Sequence, residues 1–375
     1  MNGKEHGGRR VTVEIKHDGA AISYDVWVCE GLIDDAGSLI AGACPAHRYA
    51  IIADTQVAGL YGDRVLASLA GEGLQGTLLK FPAGEWNKNR ESWSELTDRM
   101  LKVGLGRDSA VIGLGGGVAG DLGGFVAATF MRGVPLVQIP TTLLAMLDSS
   151  VGGKTGVDTP AGKNLVGAFH QPSLVLADPA VLKTLPAPQF NSGLAEAFKH
   201  GLILDVDYFE SIAAGLDDLF NRKADRLVDL IARSVEIKAD VVARDERESG
   251  YRKILNFGHT VAHAQEAISG YAWLHGEAVA AGMVLEAAIG EAAGVTREGV
   301  SRRIREALEA ARLPVELDDE VDATRFFEVL EQDKKRVGGQ VRYTLIGEIG
   351  RVAAAPEGEW THAVPEELVR SILFG

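Results

Sequence analysis

Strand-like runs alternate with helical segments up to about residue 185, and an almost wholly helical texture follows. Together these predict an α/β N-terminal Rossmann-like nucleotide-binding domain and a mostly α-helical C-terminal domain. Length agrees, because 375 residues exceed one ordinary hydrophobic core.

Taken in order, VTVEI (11–15), YAIIAD (49–54), GTLLKF (76–81), SAVIGL (109–114), PLVQIP (135–140) and LVLAD (174–178) read as strands. Helical segments such as Val57 to Ala70 and Asn89 to Val103 lie between them, so the sheet is expected to be largely parallel. From Pro186 onward, Ala/Leu/Glu/Arg-rich patterns dominate up to Leu313, with a short late strand expected over Val341 to Leu345. Pro186 and Pro188 mark the boundary, giving expected domains 1–185 and 186–375.

The apolar fraction is 46% and the charged fraction 24%, the profile of a soluble globular protein. A net charge of −14 argues against nonspecific nucleic-acid binding, and means that an anionic ligand would need a local cluster of cations. The two cysteines, Cys29 and Cys44, form no CxxC and suit a reduced compartment. The polar start MNGKEHGGRR lacks a signal-peptide core, and the uncharged stretch Gly133 to Leu147 is too short to span a bilayer. A cytoplasmic protein without membrane or nucleic-acid partners is expected.

Gly115-Gly116-Gly117-Val118-Ala119-Gly120 satisfies GxGxxG after the strand SAVIGL and before an apolar helix expected over Leu122 to Met131. Glycines there let backbone N–H groups approach a pyrophosphate at a helix N-terminus, although such turns also serve tight helix–sheet packing. The acid usually found about twenty residues later for the ribose is missing, since none occurs between Asp121 and Asp148. Asp54, ending an earlier strand, is the better ribose residue, helped by Glu85 and Lys88.

Three polar clusters mark the helical half. Glu196, Lys199 and His200 fall at i, i+3 and i+4, on one helical face. Arg252, Asn256, His259 and His263 are spaced 4, 3 and 4, one stripe if the segment is helical throughout. The third cluster is Leu274-His275-Gly276-Glu277. Any one histidine alone reads as a core or surface residue. The set beside a nucleotide loop reads as a catalytic metal site, because two imidazoles and a carboxylate suit zinc and leave positions open. Spacing does not choose between His259 and His263 as ligand.

Asp148 and Lys154 flank a small-residue loop, with Lys163 and Asn164 close behind. Lys199, Lys238, Arg252 and the pair Lys334 and Lys335 add cations in small or apolar contexts. A lone lysine is normally a solvated charge, but a cluster in an acidic protein suits a ligand bearing phosphate and carboxylate.

Six segments then resemble the 3-dehydroquinate synthase family: GGGVAGDLGGFVAATFMRG, IPTTLLAMLDSSVGGKTGVD, GKNLVGAFHQP, GLAEAFKHGLI, RKILNFGHTVAHAQE and LHGEAVAAGM, in order from about residue 113 to 283. The resemblance implies conversion of 3-deoxy-D-arabino-heptulosonate 7-phosphate to 3-dehydroquinate and phosphate. The implied course is transient NAD-dependent oxidation, phosphate elimination, reduction, ring opening and aldol closure. It implies Glu196, His259 and His275 as ligands of Zn²⁺, with Co²⁺ an alternative, and moves His263 to the substrate. The substrate pocket would hold Asp148, Lys154, Asn164, Lys199, Lys238, Arg252, Asn256, Lys334 and Lys335, with Lys163 beside them. Arg132 would reach the phosphate across a homodimer interface. NAD contacts would come from Asp54, Glu85, Lys88, Gly115, Gly116, Gly117, Val118, Asp121, Thr141, Thr142 and Thr184, with Lys154 and Lys163 shared. Rival readings are a cyclitol-forming sugar-phosphate cyclase, a metal-dependent polyol dehydrogenase and an inactive scaffold; Lys238 and the DKK lysines favour a carboxylated substrate.

Overall fold

A computed structural model of the chain describes residues 8–17, 20–270, 272–318, 320–336 and 341–375. The chain divides into two compact units, Met1–Leu185 with Arg222–Ala243, and Pro186–Asn221 with Arg244–Gly375. The expectation was a single break after residue 185. The segment Arg222–Ala243 groups with the first unit because Lys238 pairs with Asp148 and Arg9 with Asp229.

The first unit contains strands β1 (Arg9–His17), β2 (Ala20–Val28), β3 (Arg48–Asp54), β4 (Gln75–Phe81), β5 (Ser109–Gly115), β6 (Leu136–Pro140), β7 (Lys154–Thr159), β8 (Gly162–Phe169) and β9 (Leu174–Ala177). Its helices are α1 (Leu32–Ala43), the single turn α2 (Thr55–Val57), α3 (Asp63–Gly71), α4 (Arg90–Lys102) and α5 (Gly117–Thr129). Seven strands form one sheet in the order β1-β2-β9-β6-β5-β3-β4, parallel except for the β1–β2 pair. Tyr49 to Ala53 and all of β5 are buried, as expected of apolar strands covered on both faces. From the adjacent pair β3 and β5 the chain runs outward in opposite directions, to β4 on one side and to β6 and β9 on the other. Ligands of such sheets bind outside the carboxyl ends of the strands at this reversal. Asp54 ends β3 and Gly115 ends β5.

Two expectations need correction here. The helix after the glycines begins at Gly117, not Leu122, so Val118, Gly120 and Asp121 belong to α5. It ends at Thr129, before Met131 and Arg132, which take φ of 52° and 70°. The antiparallel hairpin β7–β8, with Lys154, Lys163 and Asn164 on it, was not expected as strand at all.

The second unit is built from α6 (Ala187–Leu204), α7 (Val206–Ala214) and α8 (Leu216–Phe220). After α9 (Ala224–Arg244), which lies almost wholly in the first unit, come α10 (His259–Ile268), α11 (His275–Ala292), α12 (Val300–Ala310), α13 (Ala323–Arg336) and α14 (Glu366–Phe374). Two small two-stranded sheets join β10 (Arg342–Tyr343) to β13 (His362–Ala363) and β11 (Ile346–Glu348) to β12 (Arg351–Val352). Val261, Leu285, Ile289, Phe326, Tyr343 and Leu345 are among the residues that fill its core. The stripe expected from Arg252 to His263 is interrupted. Tyr251–Asn256 form a 3₁₀ turn, and Gly258 at φ 83° separates it from α10.

Candidate active site

The first unit carries the crevice of the dinucleotide type. Gly115 has a φ of 153°, and a Cβ there would lie 2.6 Å from that of Ala119 and 3.7 Å from Asp54 Oδ2. Only glycine fits that turn, which leads straight into the N-terminus of α5. Asp54 accepts hydrogen bonds from the N–H groups of Gln56 at 2.8 Å and Val57 at 3.0 Å, capping the turn α2. The Thr141 N–H donates to Gly115 O at 2.8 Å, and Thr142 Oγ1 accepts from the N–H of Ala145 at 3.2 Å. Gly116 caps α5, whose first turn holds Gly117 and Val118. Thr184 Oγ1 hydrogen-bonds the Tyr61 hydroxyl at 2.6 Å.

Beside the glycine turn sits a charge cluster around the buried Lys88. Lys88 Nζ lies 2.7 Å from Glu85, 3.5 Å from Asp121 and 3.6 Å from Asp158. Burial alone would lower the Lys88 pKa, but the carboxylates of Asp121, Glu85 and Asp158 outweigh it and the net shift is upward. Burial, reinforced by the negative charges of Glu85 and Asp158, pushes Asp121 up to about 6 despite Lys88. Asp158 also accepts from the Asn164 N–H at 2.8 Å, holding Asn164 at φ 55°. Asp158, the last residue of the segment IPTTLLAMLDSSVGGKTGVD, was not singled out in the sequence.

Still in this unit, Lys238 is buried and pairs with Asp148 Oδ1 at 2.5 Å while donating to the Asp148 main-chain oxygen at 2.5 Å. Lys154 is exposed at the start of β7 and Lys163 half-buried on β8. Arg132 is exposed just after α5.

The second unit brings Glu196, His259 and His275 together: one ligand atom from each lies within 4.8 Å of the others. Glu196 is fully buried on α6, and its Oε1 is 3.7 Å from His259 Nε2 and 3.5 Å from His275 Nε2. Lys199 Nζ pairs with the other carboxylate oxygen and is itself buried. Burying such charges is costly unless they are paired or bound to metal. The His259 and His275 rings are 5.3 Å apart, centroid to centroid. Burial, and then the Lys199 ammonium, hold His259 well below its ordinary pKa, so it presents a neutral imidazole. For His275, burial works in the same direction, but Glu196 and Glu266 override it and raise the pKa to about 9. Glu266 Oε2 lies 3.5 Å from His275 Nδ1, the carboxylate–histidine arrangement that orients metal ligands. A buried carboxylate and two partly buried imidazoles that bring one ligand atom each within 4.8 Å of the others fit a divalent metal of borderline softness.

Geometry thus separates the two histidines that spacing left tied. His263 is exposed, its ring 5.5 Å from that of His259, and it is outside the converging trio. His200 is fully buried one residue beyond Lys199. Arg252 is buried and donates to Glu246 O at 2.5 Å, and Asn256 Nδ2 donates to Glu248 Oε1 at 2.6 Å. Lys334 and Lys335 lie in α13, and their side chains fall outside the described residues.

Known proteins match most of the chain. A 2-epi-5-epi-valiolone synthase from Streptomyces hygroscopicus subsp. jinggangensis, solved with NAD⁺ and Zn²⁺ bound, superposes with a TM-score of 0.85 at 30% identity, covering 94% of this chain and 96% of that one. A 2-deoxy-scyllo-inosose synthase complexed with carbaglucose-6-phosphate, NAD⁺ and Co²⁺ gives 0.87 at 25% identity, covering 97% and 99%. The 3-dehydroquinate synthase of Symbiobacterium thermophilum is 45% identical over 336 residues, 89% of this chain and 94% of that protein. Family models described as 3-dehydroquinate synthase N-terminal and C-terminal match residues 78–192 and 193–336. With both matches contiguous and this identity sustained along both chains, the chain belongs to the 3-dehydroquinate synthase family.

Proposed function

We propose that this chain converts 3-deoxy-D-arabino-heptulosonate 7-phosphate to 3-dehydroquinate and phosphate, as a carbon–oxygen lyase of the shikimate pathway. The observation that carries the reading is the convergence of His259 and His275 on the buried Glu196 in a chain of this family. A divalent metal held by these three would supply Lewis acidity, and NAD a reversible hydride sink, so that the net reaction involves no redox change.

The chain's own groups do the holding. Gly115, Gly116 and Gly117 offer backbone N–H groups to the pyrophosphate, and Asp54, Glu85, Lys88 and Asp121 suit the ribose hydroxyls. Thr141 and Thr142 border the same turn, and Thr184 joins them as an NAD contact on this reading. Lys154, Asn164, Arg252, Asn256 and His263 carry the donors that a phosphate needs, with Lys163 adjacent. Lys199 and Lys238, each paired with a carboxylate, suit a substrate carboxylate and hydroxyls, as do Lys334 and Lys335. On the same reading the protein is a cytoplasmic homodimer in which Arg132 of one copy reaches the phosphate bound to the other. No helix among the described residues is long and apolar enough to cross a membrane.

Incubation with the heptulosonate phosphate, NAD⁺ and Zn²⁺ tests the reaction. Phosphate release with no accumulating NADH is expected. NADH without phosphate would replace the reading with a polyol dehydrogenase. Turnover only with a non-carboxylated sugar phosphate would replace it with cyclitol formation. Light scattering of the eluted protein checks the dimer.

A further inference from the structure

We propose that Glu286 is a positioning residue for the metal ligand His259. The inference rests on the reading that Glu196, His259 and His275 hold a divalent metal. α10 begins at His259, and its first N–H groups have no acceptor within the helix. Gly258, the residue before it, has no side chain with which to cap them. The acceptor comes from α11 instead. Glu286 Oε2 accepts from the Gly258 N–H at 2.8 Å, and Oε1 from the Val261 N–H at 3.1 Å. One carboxylate therefore grips the backbone on both sides of His259.

Nothing about burial calls for an acid there. Glu286 is fully buried, and its neighbours Val284, Leu285, Ala287 and Ile289 are apolar core residues. A buried carboxylate is unfavourable unless hydrogen-bonded, and the positive end of α10 with its free N–H groups provides the compensation. Burial still pushes its pKa up to about 8. The backbone is wedged as well. A Cβ on Gly258 would lie 2.9 Å from Met283 N, and one on Gly282 would lie 2.0 Å from Gly258 O. Glu286 follows His275 by about three helical turns, so both lie on one face of α11. The helix that supplies one ligand at its first residue thus clamps the start of the helix that supplies another. A frayed first turn of α10 would let His259 Nε2 drift from Glu196, and metal coordination tolerates only about ±0.2 Å.

The test compares the parent chain with E286A, E286Q and E286D after metal removal. Three quantities are read: Zn²⁺ affinity by chelator competition, the visible spectrum of the Co²⁺ form, and the melting temperature of the metal-free protein. E286A is expected to lose about tenfold to a hundredfold in Zn²⁺ affinity and to shift the cobalt bands, as removal of an outer-shell partner does. E286Q, which keeps one acceptor oxygen in place, should recover part of the affinity. Should E286A fail to fold, E286D draws the carboxylate back by one methylene, and weaker binding with altered cobalt bands is expected. Parent-like affinity and spectrum in E286A or E286D would overturn the proposal. So would a loss that follows melting temperature alone and leaves the cobalt spectrum unchanged. Equal Zn²⁺ binding by the parent chain and E196A would instead overturn the metal reading itself, and this inference with it.

Discussion

The two units assemble their binding groups by opposite means. In the first, the crevice at the ends of β3 and β5 is mainly backbone, with a glycine turn, a helix N-terminus and a capped turn at Asp54. Its charged cluster around Lys88 lies beside that turn. In the second, the proposed metal site is wholly side chain, with Glu196, His259 and His275 drawn from three helices and paired with Lys199 and Glu266. Backbone sites tolerate much in sequence provided that the glycines stay. Side-chain sites depend on each group and on the helix that carries it.

Substitutions can break this contrast, beginning with the largest effect. E196A should lose bound metal and turnover together; several kcal/mol of Lewis-acid stabilisation amounts to about a thousandfold in kcat. Metal analysis and phosphate-release kinetics check it, and full turnover with metal retained would sink the assignment. Next, H259A and H263A should part company. H259A should lose metal, whereas H263A should keep it and lose about tenfold to a hundredfold in kcat/KM, the worth of one charged hydrogen bond. Metal loss in both would mean that geometry had not separated them.

G115A probes the backbone side. A side chain at φ 153° and 2.6 Å from Ala119 brings strain of about 1–3 kcal/mol. NAD⁺ affinity should fall by about tenfold to a hundredfold while Zn²⁺ affinity stays unchanged. Titration calorimetry with each ligand separates the two.

The smallest effect concerns Asp121, whose pKa is raised from 3.8 to about 6. A carboxyl with a raised folded pKa binds its proton more tightly when folded. Its contribution to stability is therefore present below pH 4 and is lost as pH rises through 6. With 19% of the side chain still exposed, the loss should be on the order of 2 kcal/mol. Denaturation of D121N between pH 4 and 7 should lack this decline, and an unaltered profile would contradict it.

Much of this was legible in the residue pattern. The six expected strands of the first unit recur in its sheet, because continuous apolar runs bounded by glycine and proline have few other uses. The face shared by Glu196, Lys199 and His200 follows from helical periodicity, and α6 presents it. The hairpin β7–β8 was missed because KTGVDT and GKNLVGAF lack a clean alternation of apolar and polar residues. The stripe from Arg252 to His263 misled because Gly258 breaks what spacing had joined.

By itself, then, the sequence determined the fold class, the glycine turn, the set of possible metal ligands and the family, since each is a local or ordered pattern along the chain. Spacing left His259 and His263 tied, the family resemblance named His259, and the tertiary structure shows His259 converging on Glu196. Tertiary structure alone decided that Glu266, Glu286 and Asp158 matter, and that α9 belongs with the first unit. The physical reason is common to all of these. Burial, and the partner that makes a buried charge tolerable, are set by helices and strands meeting from distant parts of the chain, and no spacing along one segment records that meeting.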